Sequence, residues 1–123
     1  MKRVLFVSLL LIVALAACAE AEGSDPADAV ERYLQAKIDS DAGAMRPLLC
    51  SGMEADLTRE AASFSGIDAR IEGMDCAREG DSDVVTCSGA IMAVYGVETT
   101  EFPLTAYQVV QEDGEWKWCG EAE

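Results

Sequence analysis

Apolar residues recur every three or four positions up to residue 66, and from residue 67 onward they alternate with polar ones. Asp25-Pro26 opens the first helix, with Asp25 as N-cap and proline at the first helical position. Val30, Tyr33, Leu34 and Ile38 form its apolar stripe, while Asp28, Glu31, Arg32 and Gln35 fall on other faces. Gly43 and Pro47 limit Ala42 to Leu49 to one or two short turns. Ser51-Gly-Met-Glu54 fits a capping box, and Met53, Leu57, Ala61 and Phe64 continue it as a further helix ended by Ser65-Gly66. Residues 67–77, 83–95, 99–111 and 115–119 then read as four strands. Arg78 to Ser82, Gly96 to Glu98 and the two-residue turn Asp113-Gly114 separate them. Pro103, which has no N–H to donate, predicts a bulge or an unpaired stretch inside the third strand. Helices first and hairpins afterwards predict an α+β fold: N-terminal helices packed on one face of a four-stranded antiparallel meander.

The first seventeen residues do not share this texture. Lys2 and Arg3 precede an apolar run from Val4 to Leu15, interrupted only by Ser8, and the small residues Ala16 and Ala17 lead into Cys18. Charge, apolar middle and small-residue end are the three parts of a secretory signal, and a spanning helix needs about 20 apolar residues. The predicted organisation is a signal peptide over 1–17, a tether over 18–24 and one α+β domain over 25–123. Leu15-Ala16-Ala17-Cys18 resembles the lipobox of bacterial lipoproteins, in which the cysteine thiol takes a diacylglycerol and the leader is cut just before it. The resemblance implies lipidation of Cys18 and a domain held on the extracytoplasmic side of a cell membrane or outer membrane. Ala19 stands where aspartate would imply inner-membrane retention, so the resemblance points to outer-membrane sorting in a two-membrane cell. Cysteine counting agrees: there are five, and a lipid on Cys18 leaves four that can pair completely.

Ala29-Val-Glu-Arg-Tyr-Leu-Gln-Ala-Lys-Ile-Asp-Ser-Asp41, followed by short turns and strands ending in Asp113-Gly-Glu-Trp-Lys-Trp118, resembles a nuclear-transport-factor-2-like domain. Exported lipoproteins with this domain, often called lumazine-binding-like, share the order of elements. The resemblance covers roughly residues 25–120 and implies a cone, a curved sheet wrapped around the first helix; a cystatin-like sheet with helix is the alternative.

Cys50, Cys76, Cys87 and Cys119 face an oxidising compartment after export, and sequence alone allows three connectivities. Centring the first hairpin on residues 81–82 sets Cys76 opposite Cys87, within disulfide range. Cys119 would lie two or more strands from either, beyond the roughly 7 Å limit at about 4.8 Å per strand. Cys76–Cys87 and Cys50–Cys119 are the links left. No Cys-x-x-Cys redox motif occurs, and the wide spacings do not suit zinc.

Twenty-three acidic against nine basic residues give a net charge of −14, made more negative by loss of Lys2 and Arg3 with the leader. Phosphate binding needs a basic face, so nucleic acid is not an expected partner. The chain has no histidine, which removes the usual general base, the Ser-His-Asp triad and histidine metal sites. It has no asparagine, no Gly-rich phosphate loop and no nucleophile elbow. Some enzymes of the resembled superfamily use a cone-interior Asp with a Tyr donor, and Tyr33, Asp39, Tyr95 and Tyr107 are the candidates for those roles. None falls on a family catalytic motif, so no catalytic residue, metal or cofactor is assigned.

Trp116 and Trp118 are two residues apart on one strand and share a face. One reading makes them, with Tyr107 across the hairpin, the floor of a ligand pocket; the other makes them a cover for the N-terminal helix. Glu79, Asp81 and Asp83 crowd the first hairpin loop without an EF-hand pattern and read as a solvated acidic turn rather than a calcium site. The expected function is a membrane-tethered, non-enzymatic domain that binds a small ligand or an envelope protein, with an envelope assembly accessory as the alternative.

Overall fold

A computed structural model describes residues 25–123. The leader, Cys18 and the tether lie outside the described residues.

Helix α1 spans Pro26–Ile38. Its start follows from local chemistry: the Asp25 carboxylate accepts from Ala27 N–H at 2.9 Å, and proline occupies the first turn. Val30 and Tyr33 are fully buried and Leu34 nearly so, which turns the expected stripe onto the sheet. Each such side chain contributes roughly 1.5–3 kcal/mol relative to exposure. Helix α2 (Ala42–Met45) and a 3₁₀ turn (Arg46–Leu48) follow. The further helix expected over residues 51–64 is mostly replaced: Ser51–Asp56 is 3₁₀, and only Leu57–Ala61, here α3, is α-helical. The Ser51–Glu54 capping box does not form. Ser51 instead gives its N–H (3.1 Å) and its hydroxyl (2.8 Å) to the Glu112 carboxylate, while Cys50 N–H donates to Trp118 C=O at 2.9 Å. A distant strand holds this end more tightly than the local motif does.

The sheet has five strands rather than four: β1 Asp68–Arg78, β2 Val84–Tyr95, β3 Glu98–Pro103, β4 Ala106–Glu112 and β5 Glu115–Glu121. All pairings are antiparallel. The expected third strand is split at Pro103. β3 pairs with residues 90–95 of β2, and β4 with Val84–Thr86, so both run along one edge of β2 with a one-residue slip between them. Pro103 cannot donate, and the ladder resumes through Leu104 N–H to Gly89 C=O and Cys87 N–H to Thr105 C=O, each 2.9 Å. A second irregularity faces it: Gly73 and Met74 oppose Gly89, a bulge between Glu72 and Asp75. Asp113 and Gly114 both take positive φ, the requirement of a two-residue hairpin turn whose twist matches its strands.

α1 packs against β1, β2, β4 and β5. Two disulfides close the domain: Cys76–Cys87 across β1 and β2, Cα atoms 4.0 Å apart, and Cys50–Cys119 from the helical segment to β5, Cα atoms 5.3 Å apart. These are the two links that the meander register selects.

Candidate ligand-binding cleft

The core is organised on β5, where Trp118 is 4% exposed and its indole stacks on Tyr33 of α1 with ring centroids 4.0 Å apart. Tyr33 cannot be buried without an acceptor for its hydroxyl. Glu60 of α3 supplies one at 2.6 Å, and the ammonium of Lys37, one helical turn beyond Tyr33, lies 3.4 Å from both oxygens of the same carboxylate. The Glu60 side chain is 12% exposed, so its charge is held chiefly by these two partners. Burial pushes the Tyr33 phenol well above its ordinary pKa, and the bond to Glu60 and the negative charges of Glu60 and Asp56 add to it. Tyr33 therefore stays protonated and serves as a donor.

Beside this cluster a cavity of about 180 Å³ opens between the last turns of α1, the segment after α3, and the kink between β3 and β4. Leu34, Phe64, Ile91 and Leu104 provide aliphatic and aromatic wall, Trp118 and Tyr107 the base, and Phe102 part of the rim. Lys37, Ser63 and Glu121 are the charged or hydroxyl-bearing side chains that join Tyr107 in the lining. The split of the third strand makes this opening, since Phe102, Pro103 and Leu104 all border it. Phe102 is 40% exposed and meets Phe64 and Tyr95 edge to face, at 5.9 and 6.5 Å between centroids.

Of the three residues expected to form a pocket, Tyr107 and Trp118 line this cleft, and Trp118 also covers α1. Trp116 is not in the lining: it is half-buried at another part of the sheet, under the Arg78 guanidinium at 4.8 Å. Tyr95 sits exposed at the β2–β3 hairpin, and Asp39 caps the end of α1, taking the Gln35 amide at 3.3 Å. Neither borders the cleft. In the first hairpin loop Glu79 accepts from the Thr86 hydroxyl at 2.6 Å, and among the described residues no cluster of three or more metal-ligating side chains occurs.

Lys37 and Glu60 were not singled out from sequence. Lys37 had a usable signal, lying three and four residues after Leu34 and Tyr33 on the buried side of α1. Glu60 had none, because nothing in its neighbourhood marks a carboxylate that will meet residues 23 and 27 positions earlier. No protein-family profile and no curated relative matches this chain.

Proposed function

We propose that this chain is an exported lipoprotein, anchored through a lipid on Cys18, whose non-enzymatic domain takes up a small apolar molecule in the cleft between α1 and the β3–β4 kink. The observation that carries the binding reading is the cleft itself: about 180 Å³, walled by Phe64, Phe102, Tyr107 and Trp118. An apolar cavity of about 150 Å³ is known to hold a benzene-sized molecule. Complete pairing of Cys50, Cys76, Cys87 and Cys119 supports an oxidising, extracytoplasmic setting and leaves Cys18 as the odd thiol. The helix laid across a bulged antiparallel meander supports the resemblance to the nuclear-transport-factor-2-like cone.

The first described residue and the cleft lie towards opposite ends of α1. The described chain starts at Asp25, whereas Lys37 in the cleft lies about 18 Å further along the helix at about 1.5 Å per residue. The Tyr33–Glu60 pair is satisfied internally and borders the cleft without lining it, so no reaction is proposed for it.

A second reading has its own observation. On the β2–β3 hairpin, Phe102 at the cleft mouth is exposed and meets the exposed Tyr95 ring, and Val97 is fully exposed at the turn. That group suits docking of an envelope protein that places one side chain in the cleft.

Two measurements test these proposals. Intact-mass analysis of native material should show loss of residues 1–17 and a diacylated Cys18; a retained leader or unmodified thiol would refute the anchoring. Tryptophan emission followed through a small-molecule screen should show a saturable change with at least one compact apolar compound. If none alters it, while an envelope protein is captured through Phe102, the second reading replaces the first.

A further inference from the structure

Resting on the reading of the cleft as a small-molecule site, we propose that its ligand is a neutral, single-ring-sized molecule carrying a hydrogen-bond acceptor such as a carbonyl, and not an organic acid or an amine.

Size sets the first limit. About 180 Å³ holds one ring with a small substituent and falls short of the about 300–1,000 Å³ usual for drug-sized ligands. Charge sets the second. The cation in the lining, Lys37, is already matched by Glu60, while Glu121 stands exposed at the rim. A carboxylate entering the cleft meets the Glu121 carboxylate and an ammonium already compensated by Glu60, in a chain of net charge −14. An entering ammonium ion meets Lys37, whose Nζ already lies 6.0 Å from the centre of the Trp118 ring. An entering carboxylate therefore loses water without gaining an unpaired counter-charge, and an ammonium finds one only in Glu121 at the solvent-exposed rim, where pairing contributes little.

Hydrogen-bond chemistry sets the third. Lys37 has three protons and shares one carboxylate, so it retains donor capacity toward the cleft. The Tyr107 oxygen accepts from Thr105 N–H at 3.2 Å, which directs its own proton toward some other acceptor. The indole N–H of Trp118 is buried away from solvent and is not one of the donors that the cleft presents. Ser63 donates to Arg59 C=O at 3.4 Å. The interior of the cleft thus offers donors, and its free carboxylate, Glu121, is out at the rim. A ligand oxygen that accepts from Lys37 or Tyr107 complements this set, and the ring fills the aromatic wall.

The test uses the full chain in lipid nanodiscs and four matched probes: methylcyclohexane, cyclohexanone, cyclohexanecarboxylate and cyclohexylammonium. Saturable change in tryptophan emission reads binding to the domain and ignores partition into lipid. Cyclohexanone should bind at least tenfold more tightly than either charged probe and several-fold more tightly than methylcyclohexane. In Lys37→Met the advantage over methylcyclohexane should shrink while methylcyclohexane still binds, which also certifies that the variant is folded; Tyr107→Phe gives the same comparison at the second donor. Tighter binding of the carboxylate or the ammonium, or equal binding of methylcyclohexane and cyclohexanone, overturns the proposal and leaves the cleft as a ligand site. Failure of all four probes overturns the small-molecule reading as well.

Discussion

The Tyr33 ring lies flat against the indole of Trp118, centroids 4.0 Å apart and planes 11° from parallel. This contact joins the first helix to the last strand, and beside it the polypeptide leaves the cleft unfilled. Both rings are almost wholly buried, so the pair carries packing as well as the site. Trp118→Ala should cost about 3–5 kcal/mol in urea unfolding, the range of large aromatic truncations in cores, whereas Trp116→Ala should cost clearly less because Trp116 is only half-buried. Equal losses would mean that the stack does not organise the core.

Tyr33 also makes stability depend on alkaline pH. Burial and Glu60 raise its pKa in the folded state, so the folded chain keeps a proton that the unfolded chain releases near pH 10. The contribution is full below about pH 10 and falls as pH rises above it, by at most about 1.4 kcal/mol per pH unit. The stability difference between the wild type and Tyr33→Phe should stay constant from pH 6 to 9 and shrink towards pH 11. A difference that does not change over that interval would contradict the buried, protonated phenol.

The two disulfides should contribute unequally. Cys50–Cys119 spans a sequence separation of 69 and Cys76–Cys87 one of 11. On the chain-entropy account the longer link is worth about 4 kcal/mol and the shorter about 3. Paired alanine substitutions, compared by denaturant midpoint, should show the larger loss for Cys50/Cys119, and non-reducing peptide mapping should recover these two links. A Cys87–Cys119 peptide would contradict the strand order.

Gly89 is the glycine that the sheet tolerates no substitute for. Its φ is +97°, and an added Cβ would stand 2.6 Å from the Glu72 carbonyl oxygen and from the Gly73 carbonyl group. Gly96 also has a positive φ, +66°, but nothing lies within 4 Å of its missing Cβ. Gly89→Ala should therefore lose well over 2 kcal/mol, and Gly96→Ala about 1–2, the cost of a left-handed backbone alone. Similar losses from thermal melts would mean that the bulge relaxes.

How much of this was legible in sequence varies with the range of the interaction. The meander, the Asp113-Gly114 turn and the facing of Cys76 and Cys87 follow from alternation and turn chemistry, which are local. Pro103 announced an interruption through its missing N–H, but that the chain resumes as a separate β4, slipped by one residue on β2, depends on the opposing bulge at Gly73 and Gly89. The helix expected after Ser51 failed for a similar reason: Glu112 and the Cys50–Cys119 link, both distant, seize its start. In the cleft, Trp118 and Tyr107 stood out as aromatics on paired strands. Lys37 has a periodic trace, its place behind Tyr33 and Leu34 on α1, but Glu60 has none, because their meeting is a tertiary event.

Where a small apolar molecule sits is the central claim, and photolabelling reads it directly. A cyclohexanone derivative bearing a diazirine, irradiated with the full chain in nanodiscs and mapped by peptide mass spectrometry, should mark the segments holding Phe64 and Phe102–Leu104, with labelling suppressed by excess cyclohexanone. Labelling concentrated instead around Arg78 and Trp116, or undiminished by the competitor, would contradict the assignment of the cleft.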